Sequence, residues 1–214
     1  MSFRQGIFFW KFTMNRNEQK ILVFFAGLWS AIEVSLGTIL SLSKIPFRGL
    51  LLASIGCFFI VSFRYIVDKP RVSIYLASIV AVVKLIFSLG AGGFNSAVAI
   101  FLEGLIAEII FSVLKANLIS SSLVGGGVVL YPFFHSLVTQ TLIFGVDIFR
   151  IYNKIIGEIQ LLFGKTSKFT IFELIIIFAL IYFLVGCVVG LLSFYFAKKV
   201  VKPILEPKTD NESG

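Results

Sequence analysis

The chain has 214 residues, of which 58% are hydrophobic and only 14% are charged. A soluble domain of this length needs a polar exterior that this composition does not supply, so the sequence predicts an integral membrane protein. The 19 Lys and Arg residues exceed the 11 Asp and Glu residues, and we interpret this excess as a signal of membrane topology rather than of nucleic-acid binding.

The two ends of the chain differ in character from its middle. Residues 1–20 mix aromatic with basic side chains and lack the apolar core of a cleavable signal peptide. We expect this segment to lie in the headgroup region on the cytoplasmic side. Residues 21–199 are expected to form one membrane domain, and residues 200–214 a polar cytoplasmic tail.

Apolar stretches separated by short turns predict an all-α protein with six membrane-spanning helices. The predicted spans are residues 21–42, 50–67, 74–89, 96–117, a fifth that starts near residue 120, and 169–197. The fifth is expected to be interrupted by the glycines at 125–127 and by Pro132. Apolar residues then recur at helical spacing over residues 146–163, which predicts an amphipathic helix between spans five and six.

The fourth predicted span carries Glu103 and Glu108 in its apolar centre. A carboxylate at that depth costs about 2.5–3.5 kcal/mol on insertion scales, so each is expected to have a structural partner or a function. Five residues turn a helix by about 140°. The two carboxylates therefore cannot both enter one narrow pocket.

Lys84 is the basic residue inside the third predicted span. The turn at residues 90–95 joins spans three and four, and Lys84 and Glu103 lie equally far from its centre. We therefore expect a buried ion pair between them, about 14 Å below the turn. Two alternatives stay open, in which Lys84 reaches Glu33 or an anionic ligand.

The sequence contains no phosphate-binding glycine loop, HExxH or CxxC motif, and its single His cannot build a histidine-rich metal site. Cys57 and Cys187 lie in apolar runs and predict neither a disulfide nor a metal site. We expect no catalytic residues, metal or cofactor. Intramembrane acids favour a transport or binding protein over an enzyme.

Three segments carry a family resemblance: residues 33–38 (EVSLGT), residues 44–49 (KIPFRG) and residues 100–110 (IFLEGLIAEII). They resemble uncharacterised S components, the membrane-embedded substrate-binding subunits of bacterial energy-coupling-factor (ECF) transporters. The resemblance implies a bacterial inner-membrane protein that captures a vitamin or related micronutrient from outside. Its implied partners are a coupling transmembrane subunit and ABC ATPases.

The resemblance also gives a meaning to a row of small residues on the first span, Gly27, Ala31 and Ser35. Members of the family dock the coupling subunit on an alanine-x-x-x-alanine groove, and Gly27-x-x-x-Ala31 is the nearest match, with glycine in place of the first alanine. Small residues at this spacing let another helix approach closely. The same row is also compatible with packing inside the bundle.

We expect ligand contacts on the outer half of spans four and five, at Glu103, His135, Gln140 and Asn95. Lys84 is a further expected contact, and a stronger one if it does not pair with Glu103. One alternative function is a stand-alone secondary transporter that uses intramembrane carboxylates, Glu33 among them, as proton-titrating groups. A small intramembrane enzyme or assembly factor is a third.

The distribution of basic residues predicts the orientation. With the N-terminus inside, twelve basic residues lie in cytoplasmic segments and six in external ones, which puts both termini in the cytoplasm. Reporter fusions after Lys69 and Lys199 are expected to be cytoplasmic, and a fusion after Lys165 external. A cytoplasmic signal from the Lys165 fusion would contradict the six-span topology.

Overall fold

The computed structural model of the chain describes residues 14–42, 47–88, 91–145 and 171–205. Regular secondary structure in these ranges is entirely helical, so the expected all-α class is confirmed. The elements are α1 (Arg16–Leu42), α2 (Arg48–Ile66), α3 (Val72–Phe87), α4 (Ala91–Leu114), α5 (Leu118–Phe144), α6 (Ile171–Phe196), a π-helical turn (Ala197–Val201) and α7 (Lys202–Leu205). The amphipathic helix predicted at 146–163 lies outside the described residues.

Five of the described helices are long and apolar enough to cross a membrane, which is typical of a multi-pass membrane protein. They cover Arg16–Leu40, Arg48–Ile66, Gly93–Leu114, Leu118–Leu142 and Phe172–Ile204. The remaining predicted span, the third at residues 74–89, corresponds to the apolar helix α3, which has only 16 residues. At 1.5 Å per residue it is about 24 Å long, less than the roughly 30 Å of a hydrocarbon core.

The first helix starts five residues before the predicted span because a reciprocal cap holds its end. The Asn15 N–H donates to Glu18 Oε2 at 2.8 Å, and the Glu18 N–H donates to Asn15 Oδ1 at 2.9 Å. This arrangement satisfies two backbone donors that a helix start leaves open. The Lys69 ammonium, 2.7 Å from Glu18 Oε2, ties the start of α1 to the turn between α2 and α3.

Helix α2 occupies the centre of the bundle and packs against α1, α3, α4, α5 and α6. Its buried residues include consecutive positions from Phe59 to Arg64, as expected of a helix that is surrounded on all sides. On the α1 side, the rings of Trp29 and Phe59 stack with centroids 6.2 Å apart and planes 4° from parallel. Helix α6 lies at the edge, against α5 and α2.

Helix α5 is continuous through the glycines at 125–127 and through Pro132, so the predicted interruption is wrong. A Cβ added at Gly125 would overlap the carbonyl oxygen of Gly186, and one added at Gly190 would overlap that of Ser121. The glycines therefore let the backbones of α5 and α6 touch directly. That close packing stabilises α5 where glycine alone would weaken it.

The connection between α3 and α4 is shorter than predicted. Helix α3 ends at Phe87 and helix α4 begins at Ala91, so residues 91–95 of the turn expected at 90–95 are helical. A Cβ at Gly93 would overlap the Ser88 carbonyl oxygen, and one at Gly104 would overlap Ala77. The two helices therefore run back along each other in close contact.

The direct contact between α5 and α6 is tested by filling it. Gly186→Leu is expected to lower the free energy of unfolding by about 1–3 kcal/mol or more, because the new side chain meets the backbone of Gly125. Gly27→Leu is the matched control, since nothing lies within 4 Å of a Cβ added there. Unfolding of the purified protein in detergent measures both, and equal stabilities would contradict this packing.

Candidate functional site

A polar cavity of about 490 Å³ lies between α1, α2, α3, α4 and α5. At its exposed edge the cavity is lined by the end of α1, the start of α2, the end of α3 and the start of α4. Three buried charged side chains line it, namely Glu33, Lys84 and Glu103, and Arg48 lies at its exposed edge. The volume falls within the roughly 300–1,000 Å³ typical of small-molecule sites.

Lys84 forms its ion pair with Glu33. Its Nζ lies 3.5 Å from Glu33 Oε1 and donates a hydrogen bond to the Glu33 backbone carbonyl at 2.9 Å. Gly37, one turn further along α1, leaves the space for the ammonium, because a Cβ there would be 2.6 Å from Nζ. Both charges are buried, so each offsets much of the desolvation cost of the other.

The predicted pair between Lys84 and Glu103 is therefore wrong, and the α3–α4 connection explains why. The contacts of Gly93 with Ser88 and of Gly104 with Ala77 centre the antiparallel pairing between residues 90 and 91 rather than between residues 93 and 94. Measured from that point, Glu103 is about six residues deeper than Lys84, or roughly 9 Å at 1.5 Å per residue. The open alternative, in which Lys84 reaches Glu33, is the arrangement that the structure adopts.

Glu103 lies deep in the cavity and is only 5% exposed. Within the described residues its carboxylate forms no ion pair and accepts no hydrogen bond. Gly56 of α2 provides the room, since a Cβ there would lie 3.0 Å from Glu103 Oε2 and 2.8 Å from the Trp29 ring. The arrangement leaves one buried carboxylate facing the cavity without a partner.

Glu108 has a structural role at the opposite end of α3. Its Oε1 accepts a hydrogen bond from the Arg71 N–H at 2.6 Å, and its Oε2 accepts one from the Ser73 N–H at 3.2 Å. The carboxylate thereby satisfies donors at the start of α3 and interacts favourably with the positive end of that helix. Glu103 and Glu108 thus point to different places, as their five-residue spacing predicts.

The other predicted ligand contacts do not line the cavity. Asn95 Oδ1 lies 2.9 Å from His135 Nε2, and the Tyr131 hydroxyl lies 2.9 Å from His135 Nδ1. Gln140 donates to the Ser136 hydroxyl at 3.1 Å. Asn95 and His135 thus link α4 to α5 beside the cavity, and ligand contact by these residues and Gln140 stays a prediction.

The structure adds lining residues that the sequence analysis did not select. Gly37, Thr38, Arg48 and Gly49 all line the cavity. They fall inside residues 33–38 and 44–49, two of the three segments that carry the resemblance. The signal was therefore present in the sequence, although nothing in one dimension shows that these two segments face the same space as Glu103.

The row of small residues on α1 is open. Gly27, Ala31 and Ser35 are exposed and line an apolar groove of about 490 Å³ between α1 and α3. The Ser35 hydroxyl is satisfied within its own helix, donating to the Ala31 carbonyl at 2.7 Å. The part of the bundle that the structure describes does not cover this row.

Comparison with known proteins adds nothing to this geometry. No family model matches the chain, and neither a curated protein nor a solved structure matches it. The cavity and the groove therefore carry the functional argument.

The Glu33–Lys84 pair gives a test of the cavity's framework. Lys84→Met is expected to destabilise the protein by about 3–5 kcal/mol, because it leaves Glu33 buried without a cation. The double variant Glu33→Gln/Lys84→Met should recover part of that loss. Glu103→Gln is the control and should cost little, since it removes a carboxylate that has no partner. Chemical unfolding in detergent measures all four proteins, and an equal loss in Glu103→Gln would contradict the pairing.

Proposed function

We propose that the chain is the substrate-binding S component of an ECF-type transporter, which captures a small water-soluble micronutrient from outside for ATP-driven uptake by partner subunits. The observation that carries the proposal is the cavity with Glu103 facing it. A buried carboxylate inside a membrane bundle is costly, and a binding site gives it a use.

The proposed protein lies in the bacterial inner membrane, crosses it six times and has both termini in the cytoplasm. Helix α3, although short, packs against α1, α2 and α4, and a short span is accommodated by local thinning of the bilayer at modest cost. The twelve-to-six bias of basic residues then assigns the cavity end of the bundle to the outside. Access from outside is what a capture subunit needs.

The groove on α1 is the proposed docking site for the coupling transmembrane subunit. It is apolar, exposed and lined by small residues, which allow two helix backbones to approach closely in a membrane. The proposed ABC ATPases would bind to that coupling subunit. ATP would then be bound by the partner ATPases, in agreement with a chain whose sequence has no phosphate-binding glycine loop.

A stand-alone proton-coupled transporter is the second candidate, and the free carboxylate of Glu103 favours it. Glu108 supports it less well, because both of its oxygens accept hydrogen bonds from backbone N–H groups. Glu33 is engaged by Lys84. Of Glu33, Glu103 and Glu108, only Glu103 would then be left to carry the transported proton.

Native mass spectrometry and uptake assays test the proposal together. The purified chain should carry a small molecule that Glu103→Gln loses and Glu173→Gln, an acid outside the cavity lining, retains. Vesicles should then accumulate that molecule only when coupling subunit, ATPases and ATP are all present. Uptake by the chain alone under a pH gradient would favour the secondary transporter, and absence of any bound molecule would contradict capture.

The docking groove generates a separate prediction. Ala31→Leu should abolish assembly with the coupling subunit and ATP-driven uptake, because leucine fills the groove. Ligand binding by the isolated chain should survive. Val82→Leu, on the exposed surface of α3 outside the groove lining, is the matched control. Co-purification and uptake measure the effect, and loss of binding together with assembly would mean that the row supports the bundle itself.

A further inference from the structure

Five charged residues are buried in the described part of the bundle: Glu33, Arg64, Lys84, Glu103 and Glu108. Four of them have partners within the protein. Glu33 and Lys84 pair with each other, Glu108 binds backbone N–H groups, and Arg64 donates to the Lys69 carbonyl, lies 3.8 Å from Asp68 and faces the Phe111 ring. Glu103 is the exception, and it faces a cavity.

No described residue provides a cation or a hydrogen-bond donor to the Glu103 carboxylate. Lys84 is held on the α1 side of the cavity by both the carboxylate and the carbonyl of Glu33. A bound metal ion also fits poorly, because no cluster of three or more His, Cys, Asp or Glu side chains that could hold one occurs among the described residues. A cavity of about 490 Å³ is also far larger than a bare ion needs.

We propose that the cavity takes a small organic molecule carrying a protonated nitrogen, which donates to the Glu103 carboxylate. This inference rests on the proposed binding function and adds the chemical class of the ligand. Among the buried groups of the lining, two carboxylates face one ammonium, and the second base, Arg48, lies at the exposed edge of the cavity. A cationic nitrogen beside Glu103 balances the excess acid where the charge is buried.

The remaining lining residues define how such a ligand lies. Two apolar residues line the cavity next to this deep end. Ile100 lies one turn before Glu103 on α4, and Ala53 lies one turn before Gly56 on α2. Hydroxyl groups line the cavity nearer the helix ends, at Thr38, Ser88 and Ser96. A ligand with its cationic nitrogen innermost, an apolar body and a polar outer end matches this order. The apolar surroundings of Glu103 also lower the local dielectric constant, which strengthens its attraction for a cation.

Charge-selective labelling tests the inference without knowledge of the ligand. Ala99 lines the cavity one turn before Glu103 on the same face of α4. In the full chain carrying Ala99→Cys, a cationic ethylammonium methanethiosulfonate should react faster than its anionic ethylsulfonate analogue, after correction for their rates with a free thiol. Adding Glu103→Gln should lower this cation-to-anion rate ratio by about tenfold or more, since it removes a charge at close range. Peptide mass spectrometry separates the thiol introduced at position 99 from the native cysteines Cys57 and Cys187.

Glu173→Gln is the matched control, because it also removes one acid but lies outside the cavity lining, and it should leave the ratio unchanged. Ser96→Cys, two turns from Glu103, repeats the measurement if Ala99→Cys does not fold. Full labelling with a ratio that Glu103→Gln leaves unchanged, or a preference for the anion, would overturn the cationic ligand while the binding cavity stands. Failure of both reagents to reach either introduced thiol in the folded protein would overturn the binding cavity itself, and with it the proposed function.

Discussion

Each charge buried in a bundle of apolar helices needs a partner, and the way this chain meets that requirement organises the structure. Around the α2–α3 turn, the helix ends are connected by contacts of Arg64, of Glu108 and of the Lys69–Glu18 pair. The pair of Glu33 with Lys84 connects α1 to α3 near their other ends. These contacts hold the ends of the helices together where hydrophobic packing alone gives little specificity, since lipid tails are as apolar as the side chains.

The two ends of the bundle differ as a result. At the end that holds the α2–α3 turn, charged groups interact with one another and with helix termini. Further into the bundle, α3 packs closely against α4 at Gly104. At the other end, the same helices surround a cavity that reaches down to Glu103. Among the described residues, the helices thus pack closely at one end and surround a cavity at the other, an arrangement that is suited to holding a solute.

Helix α1 connects the two features on which the proposed function depends. Glu33 faces the cavity, whereas Ala31 and Ser35, two residues to either side of it, face the apolar groove. Two residues turn a helix by about 200°, so these side chains lie on opposite faces. A change in the position of α1 on ligand binding would therefore alter the groove as well. This connection offers a physical route by which the proposed coupling subunit would sense an occupied cavity.

The sequence by itself determined the membrane class, the helical fold, the approximate position of each of the six long described helices and the divergence of Glu103 from Glu108, but not the short helix α7. These properties follow from hydropathy and from the 3.6-residue period, which are local. Only the tertiary structure decided the partner of Lys84, the continuity of α5 through its glycines and the lining of the cavity. Each depends on how far one helix is shifted along another, and a change of a few residues in the α3–α4 connection was enough to move Lys84 away from Glu103 and beside Glu33. Helical periodicity shows which face a residue occupies, but the depth at which two faces meet is set by connection length and by contacts between backbones such as those of Gly125 and Gly186.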